Sequence, residues 1–225
     1  MVGTVVNAGA VVAGSLIGVG AGRRLPERFK NILMQGLGLS VVFLGVQMAL
    51  SGSRPLLAIG CLLLGAVTGE ALRVEDRLAS LGGWLQVRLR SRSATFVQGF
   101  VTASILYCTG AMMIVGSIQD GTVGDPTTLY VKALLDGVAS VALASSLGVG
   151  VAFSAGTVLL AQGSLTLLAS HLAFLQTPEV LEAVTATGGL LILGIGINLL
   201  NLTVIRTGNL MPAVFYAAGA AVWLG

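Results

Sequence analysis

The sequence has few charged and few aromatic residues. Only 9% of its 225 residues are Asp, Glu, Lys or Arg and only 5% are Phe, Trp or Tyr, whereas 55% are hydrophobic. A soluble globular domain carries roughly 25% charged residues, so this chain lacks the polar side chains that would cover a water-exposed surface. The composition excludes soluble enzymes, nucleic-acid binders and secreted disulfide-linked domains. It predicts an integral membrane protein with several spans.

Motifs of known catalytic chemistry are also missing. The sequence has no H-E-x-x-H, Walker or G-x-S-x-G motif. His171, Cys61 and Cys108 are too few and too scattered for a metalloenzyme site. We therefore expect no enzyme activity, no metal and no cofactor. Glycine, by contrast, is plentiful at 32 residues, which suits helices that pack closely in lipid.

Charges and Gly- or Pro-containing breaks divide the chain into eight apolar segments of roughly the 20 residues that cross a membrane. The predicted fold is an all-α, polytopic transmembrane helical bundle that forms one domain over 1–225. No Asp, Glu, Lys or Arg lies between Asp136 and Glu179, so this stretch must turn back, and we predict the turn at Ser154–Gly156. The last segment is short, so it either crosses the membrane at a tilt, lies at the membrane interface or forms a partly re-entrant segment. The segments are Val2–Gly22, Ile32–Leu50, Pro55–Leu72, Ala94–Ile118, Leu129–Phe153, Ser154–Leu175, Val184–Ile205 and Asn209–Leu224.

Lysine and arginine are distributed unevenly over the loops between these segments. If the N-terminus lies outside, ten of the twelve basic residues fall in inside loops, and only Arg54 and Lys132 lie outside. The positive-inside rule then predicts an N-out/C-out topology. A seven-span alternative would leave the last segment on one side. The inside residues are Arg23, Arg24, Arg28, Lys30, Arg73, Arg77, Arg88, Arg90, Arg92 and Arg206.

The longest inside loop, 73–93, has a helical pattern of its own. Val74 and four leucines recur at helical spacing, Trp84 lies nearby, and arginines occupy other faces. The loop is therefore either an amphipathic helix on the cytoplasmic leaflet or a solvated connector. Just before it, Glu70 either forms a surface pair with Arg73 or is a second candidate for ion coupling.

Small residues indicate an internal repeat. At an offset of 130, a stripe of small residues in the first segment coincides with a stripe in the fifth. Residues four positions apart share one helix face, and small side chains let helices approach closely. A repeat would divide the chain into halves of about 1–118 and 129–225, although Gly- and Ala-rich membrane sequences also match by chance. The predicted helix-packing residues are Gly14, Gly18 and Gly22 in the first stripe and Ser140, Ala144 and Gly148 in the second.

Asp136 is the strongest candidate for a functional residue. It lies about seven residues into the fifth segment and shares a face with the small stripe. A charge at membrane depth is costly unless it is paired or wetted, so Asp136 must face protein or a cavity. Lys132 precedes it by one helical turn. The carboxylate is either a cation or proton site or half of a Lys132–Asp136 pair that reaches the outer interface.

Uncharged polar residues accompany Asp136. Asn7 faces the same way as the glycine stripe, Gln98, Thr102 and Thr109 make the fourth segment the most polar, and Asn198 lies in the seventh. These side chains either line a solute path or form hydrogen bonds between helices.

Four stretches of the sequence carry a family resemblance. They are NAGAVVAGSLIGVGAGRRLPERFKNILMQGLGLSVVFLG, QGFVTASILYCTGAMMIVGSIQDG, LLDGVASVALASSLGVGVAFSA and GGLLILGIGINLL. Together they resemble the YqgA-like (also YdfK-like) bacterial inner-membrane proteins, a family of unknown function, from about Gly3 to Pro212. The resemblance implies a polytopic membrane protein, for which transport is the role commonly suggested. It brings no substrate and no catalytic residue with it.

Two hypotheses on function follow. The first is a bacterial inner-membrane secondary transporter or channel for a small ion or small polar solute, forming a homodimer or trimer. The alternative is a non-transporting scaffold whose basic loop 73–93 binds anionic lipid or a cytoplasmic partner. We expect membrane lipids and a solute as partners, and no nucleic acid. In the first hypothesis the solute or ion contacts Asp136, Asn7, Gln98, Thr102, Thr109 and Asn198.

Overall fold

The computed structural model describes residues 1–22, 26–91 and 93–224. Arg23, Arg24 and Arg92 of the predicted inside loops lie outside the described residues, as does the side chain of Lys30. Every regular element of the described chain is a helix, which confirms the predicted fold class. The α-helices are α1 (Val2–Gly22), α2 (Glu27–Leu50), α3 (Pro55–Leu72), α4 (Val74–Arg88), α5 (Phe96–Cys108), α6 (Ala111–Thr122), α7 (Thr127–Leu147), α8 (Gly150–Leu167), α9 (Pro178–Leu199), α10 (Thr207–Leu210) and α11 (Pro212–Leu224).

Five of these helices are long and apolar enough to cross a membrane, namely α1, α3, α7, α8 and α9. Helices α5 and α6 give a sixth candidate if the bent pair is one span, and the apolar part of α2, Met34–Leu50, is shorter. Large apolar side chains such as Ile17, Leu63 and Leu134 are exposed on the outer surface, as expected for helices that contact lipid. The predicted eight spans and the predicted N-out/C-out orientation remain predictions.

The turn between α7 and α8 lies earlier than predicted. Helix α7 ends at Leu147 because Gly148 adopts a φ of 79°, a left-handed conformation that suits glycine. The prediction of a turn at Ser154–Gly156 is wrong, since these residues lie inside α8 and the Ser154 hydroxyl donates to the Val151 carbonyl at 2.7 Å. A serine that bonds its own helix backbone in this way does not break the helix.

The fourth predicted segment is a broken helix. Helices α5 and α6 meet at an angle of 64°, and Gly110 between them is extended (φ −90°, ψ 147°). The backbone carbonyl of Thr109 lies against Gly188 of α9, where a Cβ atom would stand 2.6 Å from the carbonyl oxygen. The break therefore occurs opposite a pair of glycines in α9, Gly188 and Gly189. Because these glycines have no side chains, they leave room for the irregular backbone.

Helices α1 and α7 run in the same direction and pack backbone to backbone. Three glycines of α1 follow one another at four-residue spacing, and a Cβ atom on any of them would collide with a carbonyl oxygen of α7. Such close approach strengthens helix association in lipid and permits Cα–H···O contacts. The three contacts are Gly14 with Gly137, Gly18 with Val141 and Gly22 with Ser145.

Two further helix pairs pack antiparallel. Helix α2 lies against α9, with Gly45 near Leu193 and Gly189. Helix α3 lies against α10 and α11, with Gly69 near the Asn209 carbonyl and Gly65 near Ala213. The short last segment thus begins at the end of α3 and runs back along it.

Five of the described arginines lie at one end of the bundle, which we call the arginine end, whereas Arg54 precedes α3 at the opposite end. The five are Arg73, Arg77, Arg88, Arg90 and Arg206. Predicted loop 73–93 is helical there as α4, whose Gly82 packs on Phe100 and Val97 of α5. The predicted pairing of Glu70 with Arg73 is wrong, because Glu70 accepts a hydrogen bond from Arg206 at 3.0 Å.

Candidate functional site

The site is centred on a buried ion pair in the middle of α7. Asp136 is the tenth of the 21 residues of this helix, and Lys132 lies one turn before it. The Lys132 Nζ atom donates to the Asp136 Oδ2 atom. Only 5% of Lys132 and 8% of Asp136 is exposed. Both side chains of the pair are therefore enclosed by protein within the bundle.

Asn7 of α1 joins the pair from the neighbouring helix. Its Nδ2 group donates to Asp136 Oδ2 at 3.0 Å and to Gln162 Oε1 of α8 at 2.9 Å. Its Oδ1 atom is buried and has no hydrogen-bond partner among the described residues. One fully buried carboxamide thus links three helices and leaves one acceptor free.

The hydrogen bonds continue along α1 and α8. Gln162 Nε2 donates to the Thr4 hydroxyl at 3.1 Å, and the hydroxyls of Thr4 and Thr166 are 3.3 Å apart. Thr4, Gln162 and Thr166 are all buried. At the start of α1, the Gly3 amide donates to Asp120 Oδ2 at 3.1 Å. Polar groups therefore follow one another from the first turn of α1 to the middle of α7.

Glycine packing positions this network. Because Gly14 and Gly18 bring the axes of α1 and α7 together, the short side chain of Asn7 reaches Asp136. Ser140 and Ala144 of the predicted stripe contact the same glycines. Gly148 does not lie in this interface: it ends α7, and a Cβ atom there would face Ser93, which precedes α5.

A cavity opens on the other side of the ion pair. Its volume is about 540 Å³, within the range of roughly 300–1,000 Å³ that ligand sites occupy. Apolar side chains of α2, α5, α7 and α9 form most of its wall, and Leu44, Leu135 and Met112 are exposed at its rim. Its polar lining residues are Ser40, Tyr107, Lys132, Asp136 and Thr185.

Tyr107 connects the cavity to the polar network. Its hydroxyl lies 2.7 Å from the Ser140 hydroxyl, and the Lys132 Nζ atom stands 5.9 Å from the centre of its ring, a distance at which a cation is attracted to an aromatic face. Gly110, in the α5–α6 break, lines the cavity together with Tyr107 near the end of α5, so irregular backbone borders the cavity.

Of the remaining predicted residues, Gln98, Thr102 and Asn198 share a second cavity of about 440 Å³ near the arginine end. Gln98 is exposed and Thr102 is half-buried. The Asn198 side chain is already paired: it donates to the Ile205 carbonyl and accepts from the Ile205 amide, both at 2.7 Å. These three residues therefore lie apart from Asp136 and Asn7.

Thr109 lies at the helix break. It is buried, and its hydroxyl has no hydrogen-bond partner among the described residues. It borders a smaller cavity of about 110 Å³ and not the one that contains the ion pair.

Nearly the whole chain is similar to known proteins. A family model described as "Protein of unknown function (DUF554)" matches residues 2–222. The chain belongs to the DUF554 family. A relative from Bacillus subtilis (strain 168), "Uncharacterized membrane protein YdfK", is 32% identical over 95% of this chain and 93% of its own length. "Uncharacterized protein YqgA" from Escherichia coli (strain K12) is 28% identical over 99% and 97%. No solved structure matches the chain.

These matches confirm the family resemblance seen in the sequence. Together with the long apolar helices, they establish this DUF554 chain as a multi-pass membrane protein. In the part of the chain that the structure describes, no three His, Cys, Asp or Glu side chains come close enough to hold a metal ion.

Sequence reasoning missed two parts of the polar structure of this DUF554 chain. Gln162 is not among the predicted site residues, yet it is the partner of Asn7. At the arginine end, Asn209 donates to Glu70 at 2.6 Å, and its Oδ1 atom accepts from the Glu75 amide at 2.8 Å. The Glu75 carboxylate accepts from the Gly208 amide at 2.9 Å. No sequence spacing links residues that lie more than a hundred positions apart.

Burial affects the acid at the start of α4. It raises the pKa of the Glu75 carboxyl above the ordinary value, and the Gly208 amide and Arg206 offset this only in part. Since α4 lies outside the candidate spans, this acid belongs to the arginine end and not to the site in the middle of the bundle.

Proposed function

We propose that this DUF554 protein is a membrane transporter for a small polar solute or ion, and that the Lys132–Asp136 pair is its binding site. The observation that carries the proposal is the pair itself, buried in the middle of α7 and forming part of the wall of a cavity of about 540 Å³. Transport proteins bind their solutes near the midplane of the membrane.

The cost of burying charge supports this proposal. Moving two charges out of water costs several kcal/mol per ion, and their attraction often fails to offset that cost. Apolar side chains of the same size would stabilise α7 as well or better. A charge pair at such a position therefore suggests a task other than stability, and intramembrane charges commonly mark solute or ion pathways.

The broken helix supports the same proposal. Non-helical backbone at membrane depth occurs where it is enclosed by protein or lines a cavity, and transporters form their sites at discontinuous helices. Here Gly110, the extended residue at the break, lines the cavity that contains the pair.

A transport site must be reached by water, and this can be tested without knowing the solute. Cys61 and Cys108 are first replaced by Ala, and one cysteine is then introduced at Ala139, which lines the cavity. Val138, the residue before Ala139, provides the matched control, because its side chain is 64% exposed on the outer surface. Each variant is reconstituted in liposomes and treated with a charged, membrane-impermeant thiosulfonate.

We expect the cysteine of Ala139→Cys to react and that of Val138→Cys to stay unmodified, because a thiol in hydrocarbon remains protonated and the charged reagent does not enter lipid. Mass spectrometry of the intact protein measures the modification. Equal protection of both cysteines would mean that no water reaches the pair, and the transport proposal would then fail.

A second candidate function rests on α4. Leu81, Trp84 and Val87 are exposed on this helix, Trp84 by 62% and Val87 by 78%, and Arg77 and Arg88 are exposed as well. A helix with apolar and arginine side chains lies at the surface of an anionic leaflet. A scaffold that holds anionic lipid around the bundle would use this surface.

Fluorescence quenching tests the second candidate. With Trp223 replaced by Phe, Trp84 is the remaining tryptophan. Brominated phosphatidylglycerol is expected to quench it more strongly than brominated phosphatidylcholine, and replacing Arg77, Arg88 and Arg90 by Gln should remove the difference. Equal quenching by both lipids in the unsubstituted protein would exclude a preference for anionic lipid.

A further inference from the structure

The charges in the cavity wall balance one another. Among the side chains that line it, Lys132 and Asp136 are the charged ones, one of each sign. Asn7 and Gln162, which complete the network behind them, are neutral. The described site is therefore electrically neutral as a whole, and whatever binds there must fit a neutral site.

A bare ion does not fit this site. A cation that takes Asp136 leaves Lys132 without its partner, and an anion that takes Lys132 leaves Asp136 without its partner. Leaving a buried charge without its partner is strongly destabilising. A ligand with both charges replaces the single internal pair by two pairs, its ammonium with Asp136 and its carboxylate with Lys132, so no charge is left over.

The distance between the two charges limits which zwitterion fits. Lys132 Nζ and Asp136 Oδ2 are in direct contact, and residues four apart on a helix remain neighbours. The opposite charges of the ligand must therefore be close together as well, as they are on the two groups bonded to the α-carbon of an amino acid. Zwitterions with a longer spacer, such as phosphoethanolamine head groups, separate the charges further.

The rest of the wall determines the body of the ligand. Side chains such as Leu37, Val41, Leu106 and Ile192 line the same cavity as the pair, and they favour apolar groups over polar ones. We propose that the site takes a zwitterionic α-amino acid with an apolar side chain. This inference rests on the proposed transport function and specifies the class of its substrate. Tyr107, beside the pair, offers its ring to the ammonium group.

Four compounds separate the contributions of charge and apolar body. Leucine has both charges and the apolar body, leucinamide lacks the carboxylate, 4-methylpentanoate lacks the ammonium group, and glycine lacks the apolar body. Each is added to the full-length protein in phosphatidylglycerol bilayers, which contain no zwitterionic lipid, and the unfolding temperature is measured. A ligand stabilises the state that it binds, so leucine at a hundred times its Kd should raise the unfolding temperature by roughly 5–10 °C.

The other three compounds should each give less than about a third of the leucine shift at the same concentration. A shift with leucinamide or with 4-methylpentanoate that equals the leucine shift would show that one charge suffices, and it would overturn the proposal. An equal shift with glycine would overturn the inference that the ligand has an apolar side chain. No shift with leucine would overturn it as well. Modification of Ala139→Cys by the thiosulfonate would then still support transport, so the two failures are distinguishable.

A charge-neutral variant locates the ligand. Lys132→Gln combined with Asp136→Asn removes both charges together and avoids an unpaired one, and it should lose the leucine shift. Arg206→Gln combined with Glu70→Gln removes another ion pair, with a distance of 3.0 Å, and should keep it. A leucine shift that survives in the first double variant would place the ligand elsewhere.

The same bilayers with phosphatidylethanolamine test a lipid source of the zwitterion. The leucine shift is expected to persist there. Its loss would assign the site to the lipid head group and would overturn the amino-acid proposal.

Discussion

Two helix interfaces of this protein are built in the same way and differ in what they carry. In the α1–α7 interface, Gly18 packs on the backbone of Val141, and in the α2–α9 interface, Gly45 packs on the backbone of Leu193. Both approaches are too close for a Cβ atom. The first interface carries a charged pair, Lys132 and Asp136, with Asn7 of α1 bonded to Asp136.

The comparison separates packing from function. Small residues hold both interfaces together, as they do in many membrane proteins, so a glycine stripe by itself says nothing about a site. The charged pair marks the first interface, because burying charge is costly and neither interface requires it for packing.

Removing one charge of the pair should have the largest effect. Asp136→Asn leaves Lys132 buried without its partner, which costs about 3–5 kcal/mol. Adding Lys132→Gln should recover most of this loss, because the unpaired charge is then gone. Unfolding of the single and double variants in detergent measures the difference. Equal loss of stability in both would mean that the two charges do not interact as a pair.

Filling the glycine contacts should have the next largest effect, and it should be similar in both interfaces. Gly18→Ala and Gly45→Ala each place a methyl group against backbone, and overpacking of this kind costs roughly 1–3 kcal/mol. Gly20→Ala and Gly36→Ala lie on the same two helices with nothing within 4 Å of the added Cβ, and they should lose no stability. A loss confined to the α1 variant would show that the interfaces do not share one packing principle.

The charged interface could be predicted from sequence in part. The small stripe placed Asp136 on the face that packs against protein, and periodicity placed Asn7 on the glycine face of α1, where the two hydrogen-bond. Helical periodicity is a local property, so it identifies a face. It does not identify the partner, and for this reason Gln162 was missed.

The helix breaks were harder to predict than the helices. The chain turns at Gly148 and bends at Gly110, although the sequence contains 32 glycines and most of them lie inside helices. Which glycine ends a helix depends on what the neighbouring helix leaves room for, such as Gly188 opposite Thr109. That information lies in the tertiary packing.

A smaller effect is expected at Asn198, which sequence reasoning grouped with Asp136. Its side chain makes two hydrogen bonds with the Ile205 backbone, so Asn198→Ala should cost about 1–2 kcal/mol. The leucine shift should be unchanged, because Asn198 lies in the other cavity. Asn31→Ala, on the exposed start of α2, is the control for stability. If Asn198→Ala lost the leucine shift, the two cavities would have to belong to one path for the ligand.

The smallest effect is expected at the arginine end, where Glu75 provides a charge outside the candidate spans. Burial raises the pKa of its carboxyl above the ordinary value of 4.5 in the folded protein, so the folded state binds its proton more tightly than the unfolded state does. Stability from this group is complete below the ordinary value and is lost as the pH rises through the folded pKa. Glu75→Gln, whose side-chain oxygen can still accept from the Gly208 amide, should remove this decline, whereas Glu179→Gln at the opposite end should keep it. Unfolding temperatures from about pH 4 to about pH 7 measure the difference. A decline that persists in Glu75→Gln would mean that another group causes it, and pH would then not distinguish the arginine end from the buried pair.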